Sequence, residues 1–321
     1  MKILITGATG FVGKSLTENL LALGHDIHVL SRSVEKAKSV FPQSNVSAFE
    51  WRNNLELPPA EALNGINGVI NLMGENIGAK RWSKEQKKKL KESRVDATAN
   101  LVRQINNTIP SGIDFFISAG AVGIYPVNKN KLLDENSQLG DTFLAKLCKL
   151  WEASTEGIKS KRKIIIRTGV VLEKDGGALK KMLLPFKLGL GGPIGDGNQM
   201  MSWIHRQDLV NIYTNAALDE RYNGIFNGTT HAPVNNFDFT KALGHALHRP
   251  TIFPIPALPL KLAFGEMSTI ILDSQTVISK RLPEVGYKYK FETISNALDA
   301  IFAKSQSEQG RLQERHIFRR A

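Results

Sequence analysis

The chain alternates between short unbroken apolar runs and longer stretches in which apolar residues recur every three or four positions. Runs of the first kind are "KILIT" (2–6), the segment ending in "VLSRS", "GVINLMG" (68–74), "DFFISAGAVGIY" (114–125) and "KIIIRTGVVL" (163–172). A run of that length suits a strand covered on both faces, and the intervening spacing suits amphipathic helices. Val12, Leu16, Leu20 and Leu23 mark one helical stripe, and Gly24 stands where that helix should end. Strands and helices alternate throughout, which predicts an α/β fold: a doubly wound parallel sheet with helices on both faces, binding ligands beyond the carboxyl ends of its strands. After residue 172 the pattern changes. "LGLGGPIGDGNQMMSWIHRQDLV" (188–210) is glycine-rich before it turns strand-like, and the prolines of "RPTIFPIPALPLKLAFGEM" interrupt regular structure.

Composition narrows the class. The 321 residues are 42% hydrophobic and 22% charged, as in a globular protein with a large core. A single cysteine forms no internal disulfide and rules out a cysteine-rich metal module; a reducing compartment, the cytoplasm, is the expectation. The chain opens directly on a strand without a leader pattern, and its apolar runs are too short to span a bilayer. The formal charge of +12 is partly local: Lys80, Lys84, Lys87, Lys88 and Lys91 fall on one solvated helical face. No nucleic-acid-binding pattern accompanies it, so anionic small molecules are the expected use of the excess, with neither nucleic acid nor membrane as partner. The oligomeric state is left open.

The chemistry starts at the first turn. In "TGATGFVG" (6–13), Gly7, Gly10 and Gly13 follow a strand and open a helix. One glycine permits the tight turn, one lets backbone approach a diphosphate, and one lets helix and strand pack closely. The diphosphate would rest on unpaired N–H groups at the helix N-terminus. Thr6, Phe11 and Val12 complete this candidate cofactor-binding turn. At the end of the second strand, where an acidic residue would hold a ribose 2′-hydroxyl, the chain has Ser31, Arg32 and Ser33. A guanidinium pairs with a 2′-phosphate that a carboxylate would repel, so NADP(H) is the expected cofactor. Gly74, Ser118 with Ala119, and Thr168 with Gly169 sit at later strand ends and are further cofactor-contact candidates, although small residues there also suit close packing.

"TGATGFVG", "GENIGAKRW", "SRVDAT", "SAGAVGIY", "FLAKLCKLWE", "RTGVVL", "WIHRQDLV" and "FGEM", taken in order, resemble an atypical extended short-chain dehydrogenase/reductase of the sugar-nucleotide-epimerase-like family with a C-terminal domain of unknown function. The resemblance covers about residues 1–303. It implies a Rossmann domain binding NADP at 1–172 plus 201–230 and a smaller C-terminal substrate lobe at 173–200 plus 231–303, with a polar basic tail at 304–321. It names no substrate.

The superfamily's chemistry uses a tyrosine, a lysine four residues later and a serine or threonine. With Glu152 aligned as the glutamate four residues beyond the lysine, those places hold Leu144, Cys148 and Gly120. A shift of one residue brings Lys149 to the lysine's place but Ala145 to the tyrosine's. The trio is absent, and a proton would have to come from elsewhere. Tyr125 is the candidate catalytic donor, its plainer role being an aromatic packed at the cleft edge. Glu75 could take a proton or simply receive backbone N–H groups. Cys148 reads as a small buried hydrophobe rather than a nucleophile. Arg81 and Trp82 could hold a substrate, or anchor the following helix with Ser83 and Gln86 as a capping box. Trp203 and His205 share one strand face, Asp208 is the expected N-cap beyond them, and His205 and Asn227 are substrate-contact candidates with scaffold roles as the alternative. Two functions follow: an NADP(H)-dependent, epimerase-like oxidoreductase acting on a small carbonyl or carbinol compound, or a catalytically silent NADP(H)-binding sensor. No metal site is expected.

Overall fold

The structure, a computed structural model, describes residues 1–52 and 55–303. The expected basic tail at 304–321 lies outside the described residues. Seven parallel strands form the central sheet, in the spatial order Gly224–Gly228, Ser160–Thr168, Ile113–Ala121, Gly68–Asn71, Lys2–Thr6, Asp26–Ser31 and Val46–Glu50. Strand alternation sends Ile3 and Ile5 to one face and Leu4 to the other. Ile3 and Ile5 join Leu16, Leu20, Ile212 and Tyr213 in one core cluster. Leu4 joins Val69, Leu101, Ile105 and Phe116 in the second. All three strand residues are wholly buried, which is why the run carries no polar break.

The order reverses between Lys2–Thr6 and Gly68–Asn71, opening a crevice at the carboxyl ends of those two strands. A third cluster, with Leu172, Leu179, Phe186, Trp203, Phe239, Leu243 and Leu298, is built from C-terminal elements, and Leu282 and Tyr287 return to the first cluster. Lys181 of the helix Gly177–Lys187 donates to the Gly78 carbonyl, and Lys87 pairs with Glu266 at 2.5 Å. These contacts tie the C-terminal elements to the loop that follows Gly68–Asn71 and to the helix Lys84–Lys91 beyond it. Among the described residues no helix is long and apolar enough to cross a membrane, and no cluster of His, Cys, Asp and Glu could hold a metal.

Several strands are shorter than their apolar runs. Gly68–Asn71 stops before Gly74, and the run at 114–125 ends as strand at Ala121, then forms one tight 3-10 turn, Val122–Ile124. The run at 163–172 divides into Ser160–Thr168 and Val170–Leu172. A Cβ at the intervening Gly169 would lie 2.5 Å from the Ser202 carbonyl, and its N–H donates to Gly228 at 3.1 Å. Gly169 is therefore a close-packing glycine where the strand changes partner.

Candidate functional site

The glycine turn sits at the crevice. Gly7 has φ +69°, and a Cβ there would lie 2.9 Å from the Leu72 carbonyl. Gly10 N–H donates to Gly7 O at 2.9 Å, and a Cβ on Gly13 would stand 2.1 Å from that same oxygen. A side chain at either Gly7 or Gly13 would break the turn. No side chain caps the helix Gly13–Ala22; its Lys14 N–H donates to Gly10 O at 3.0 Å, so an anion would be met by the other N–H groups of that first turn. The other residues of the turn serve it differently from expectation. The Thr6 hydroxyl donates 2.6 Å to Asn71 and is buried, so it ties two strands rather than facing a ligand. The Phe11 ring packs on Gly176, whose Cβ would come within 2.2 Å of it, and lies under the Arg206 guanidinium at 5.1 Å. Phe11 thus contributes its ring to the C-terminal elements. Val12 is the backbone N-cap of the helix.

At the end of Asp26–Ser31, Ser31 Oγ accepts from Ser33 N–H, and Ser33 caps the helix Val34–Val40. Arg32 is exposed and has no hydrogen-bond or ion-pair partner among the described residues. The strands Ile113–Ala121 and Ser160–Thr168 carry the next two candidate hydroxyls. Ser118 is buried and donates to the Ala119 carbonyl at 3.2 Å, and Thr168 donates to Ile166 at the same distance, so neither hydroxyl reaches outward.

The structure corrects the assignment of Tyr125. Its side chain is fully enclosed; the hydroxyl donates to Asn227 Oδ1 at 2.8 Å and accepts from Arg167 Nη1 at 2.8 Å. Burial raises the phenol's pKa, against the lowering influence of Arg167 and Asn227. A donor so committed does not face a substrate. Asn227 is corrected with it: wholly buried, it also donates to the Ile278 carbonyl, and its N–H is held by Glu135. Arg167 in turn forms a two-point pair with Glu152, Nε to Oε1 at 2.7 Å and Nη2 to Oε2 at 2.8 Å. A Cβ on Gly120 would come within 3.5 Å of Glu152 Oε1. The space around the absent trio is therefore filled by an ion pair and a tyrosine. Cys148, buried beside Tyr125, has its thiol pushed up to about 12 by burial, so the nucleophile reading fails on ionisation.

His205 also moves from substrate contact to scaffold. It caps the helix Arg206–Leu218 by accepting from Gln207 N–H, stacks 3.9 Å from the Phe291 ring, and has its pKa brought down to about 4 chiefly by burial. It lines a hollow with Ser15, Glu18 and Asn19 of the first helix. Asp208, the expected cap, is instead buried and accepts from Lys290 N–H, Phe291 N–H and the Tyr287 hydroxyl. A short polar residue near a helix start is ambiguous until the tertiary partners are known. Trp82 is buried, donates to the Ile77 carbonyl at 2.9 Å and packs 5.1 Å from Phe143, which makes it the anchor of the helix Lys84–Lys91. Ser83 supplies half of the expected capping box: its Oγ accepts from Gln86 N–H, while its own N–H donates to the Arg81 carbonyl at 2.9 Å instead of to the Gln86 side chain. Arg81 is exposed and lies against Gly265, 2.8 Å from where its Cβ would be.

Gly74 and Glu75 follow the strand Gly68–Asn71, on the far side of the reversal point from the glycine turn. Glu75 N–H is held by Ser93 Oγ at 3.0 Å and its carbonyl by Arg94 at 2.8 Å, but its half-buried carboxylate makes no hydrogen bond among the described residues. The pattern of the chain did not single out Arg94, Arg167 or Glu135. A cation inside the apolar run "KIIIRTG" was the available signal for Arg167, and the segment "SRVDAT" held Arg94 without marking its role; for Glu135 there was none.

A crevice of this kind, at the reversal point of a doubly wound sheet and bridged by C-terminal elements, defines a Rossmann-type protein of the dehydrogenase and epimerase class. Residues 3–149 match the NAD dependent epimerase/dehydratase family, and residues 255–301 match the Domain of unknown function (DUF1731). The chain is 39% identical over 309 residues to Epimerase family protein SDR39U1 homolog, chloroplastic, of Arabidopsis thaliana, covering 94% of this chain and 86% of that one. It is 35% identical over 308 residues to the Homo sapiens Epimerase family protein SDR39U1, covering 94% and 100%. A crystal structure of the human protein with NADPH superposes with a TM-score of 0.82 at 34% identity, covering 94% of this chain and 99% of that one. A nucleoside-diphosphate sugar epimerase from Corynebacterium glutamicum superposes with a TM-score of 0.75 at 28% identity, over 98% of this chain and 61% of its own. The chain belongs to the NAD dependent epimerase/dehydratase family, in its atypical extended SDR39U1-like branch.

Proposed function

We propose that the protein binds NADP(H) and exchanges hydride with a small carbonyl or carbinol compound, an anionic one by preference, between a dinucleotide lobe and a C-terminal substrate lobe. The glycine turn carries this reading: Cβ atoms at Gly7 and Gly13 would meet backbone, so the two glycines hold the tight turn that sets the uncapped N-terminus of the helix Gly13–Ala22 beside the reversal point, where a diphosphate would rest. Arg32, exposed and without a partner among the described residues, suits a 2′-phosphate. The NADPH named with the human relative supports the same cofactor. When bound, the cofactor supplies the hydride. The chain then has to move one proton, and with Tyr125, His205 and Cys148 committed to packing, Glu75 is the acid–base group left at the crevice. Its backbone is clamped at both N–H and C=O, so the carboxylate is positioned without being consumed.

Calorimetric titration with NADPH and NADH tests the cofactor: NADPH should bind more tightly, and Arg32→Ala should erase about tenfold of that preference. Equal affinities in the wild type would remove Arg32 from the site. In a panel of carbonyl and carbinol compounds followed by NADPH absorbance, Glu75→Gln should abolish turnover at unchanged NADPH affinity. Undiminished turnover would remove Glu75. One observation favours a second reading, a silent NADP(H)-binding sensor: the Arg167–Glu152 pair fills the space where a hydroxyl and an ammonium would act. Cofactor binding without turnover of any compound would favour it.

A further inference from the structure

Arg94 lies in a π-helical segment, Glu92–Asp96, the one such segment among the described residues, between the helices Lys84–Lys91 and Ala97–Thr108. A π-turn rotates the residues that follow it relative to a regular helix, and such turns concentrate at functional sites. Here it brings Ser93 and Arg94 together onto residue 75. The guanidinium then lies flat against Gly74: a Cβ there would stand 3.0 Å from Cζ and 3.3 Å from Nε. The Trp151 ring lies 5.2 Å from Cζ, and the charge of Glu75 also acts on the guanidinium.

What distinguishes this arginine is its incomplete satisfaction. It gives Nη2 to the Glu75 carbonyl at 2.8 Å and Nη1 to the Leu90 carbonyl at a long 3.4 Å. No carboxylate is within ion-pair distance among the described residues, and nothing accepts from Nε. Other arginines packed into this fold are treated differently. Arg167 has both oxygens of Glu152, and Arg162 donates to the carbonyls of Ala216, Ala217, Asp219 and Tyr222. A second unsatisfied donor, the enclosed indole N–H of Trp151, belongs to the residue stacked on Arg94. A partly desolvated guanidinium with an open edge has an acceptor missing.

The sheet says which acceptor. Arg32 stands on the Asp26–Ser31 side of the reversal point, and Gly74 follows Gly68–Asn71 on the other side. A dinucleotide whose diphosphate rested on the glycine turn between them, with its adenosine 2′-phosphate at Arg32, would have its nicotinamide-bearing half on the Gly74 side. Resting on the cofactor reading above, we infer that Arg94 is a ligand-binding residue, donating from its open edge to an oxygen of the nicotinamide ribose or its phosphate. The simpler role, a clamp on the loop at residue 75, uses Nη2 alone and leaves the Nε edge idle.

The test compares NADPH with 2′,5′-ADP, which has the adenosine 2′-phosphate but no nicotinamide half, on the full chain. Arg94→Met should weaken NADPH about tenfold or more, the usual worth of a hydrogen bond to a charged group, and leave 2′,5′-ADP within about twofold. Arg94→Lys should recover part of the loss, because an ammonium can still donate. Unchanged NADPH affinity, or equal weakening of both ligands without recovery by lysine, would overturn the inference in favour of the loop clamp. Should Arg94→Met not fold, phenylglyoxal labelling of the wild type read by mass spectrometry decides: NADPH should protect Arg94 and 2′,5′-ADP should not, while both protect Arg32. Protection of Arg94 by neither ligand, with Arg32 protected, refutes the role of Arg94 alone. A wild type that binds neither ligand refutes the cofactor reading, and this inference falls with it.

Discussion

Removing Glu152 should cost stability rather than ligand affinity. The Arg167 side chain is 3% exposed and that of Glu152 13%, and the two meet through paired hydrogen bonds of 2.7 and 2.8 Å. In Glu152→Ala the guanidinium would keep only the Tyr125 hydroxyl, leaving a buried charge without its counter-ion. Breaking one side of such a pair costs about 3–5 kcal/mol. For a chain of this size that corresponds to a fall in Tm of roughly 5–10 °C, measured by circular dichroism or calorimetry. The double variant Glu152→Leu/Arg167→Met carries no uncompensated charge and should recover most of the loss, since apolar replacement of a buried pair is often near neutral. Both variants should bind NADPH as the wild type does, because the pair fills the place of catalytic groups without taking their task. A Tm loss in Glu152→Ala under about 2 °C, or a double variant less stable than the single, would refute the idea that the pair is a structural plug.

Two further outcomes follow from buried titratable groups. His205 has its folded pKa brought down to about 4, so the unfolded chain takes up its proton first as pH falls; stability is present above pH 6.5 and declines from there toward pH 4. His205→Asn keeps a cap and should flatten that acid limb of the Tm–pH profile, whereas parallel profiles would show that His205 does not contribute to it. Cys148, 5% exposed and with its thiol pushed up to about 12, should not react with a thiol reagent at pH 8 in the folded protein and should react fully once unfolded. Stoichiometric labelling of the native chain would contradict its place in the core.

The apolar runs and the glycine spacing were legible because their causes are local. A strand buried on both faces admits no polar break, and a turn with Gly7 at φ +69° and a Gly13 Cβ that would meet the Gly7 carbonyl calls for glycine at both places. The vacancy of the superfamily's trio was legible for the same reason: Leu144, Cys148 and Gly120 lack the chemical groups whatever their surroundings. Side-chain roles were harder to read. Tyr125, Asn227 and His205 are residue types that serve catalysis and scaffolding equally well, and only their partners distinguish the two.

By itself, then, the sequence determined a parallel α/β sheet with an anion-ready turn after its first strand, because periodicity and glycine sterics act within a few residues. Tertiary structure alone decided the site's occupants. It brought together Tyr125, Glu152, Arg167 and Asn227 across 102 positions of chain, closing a hydrogen-bond network where a proton donor was expected. It also set Arg94 under Gly74 through a π-turn that leaves no mark in residue spacing. Whether a polar group is spent or available depends on what reaches it from distant segments, and that is a property of the packed chain.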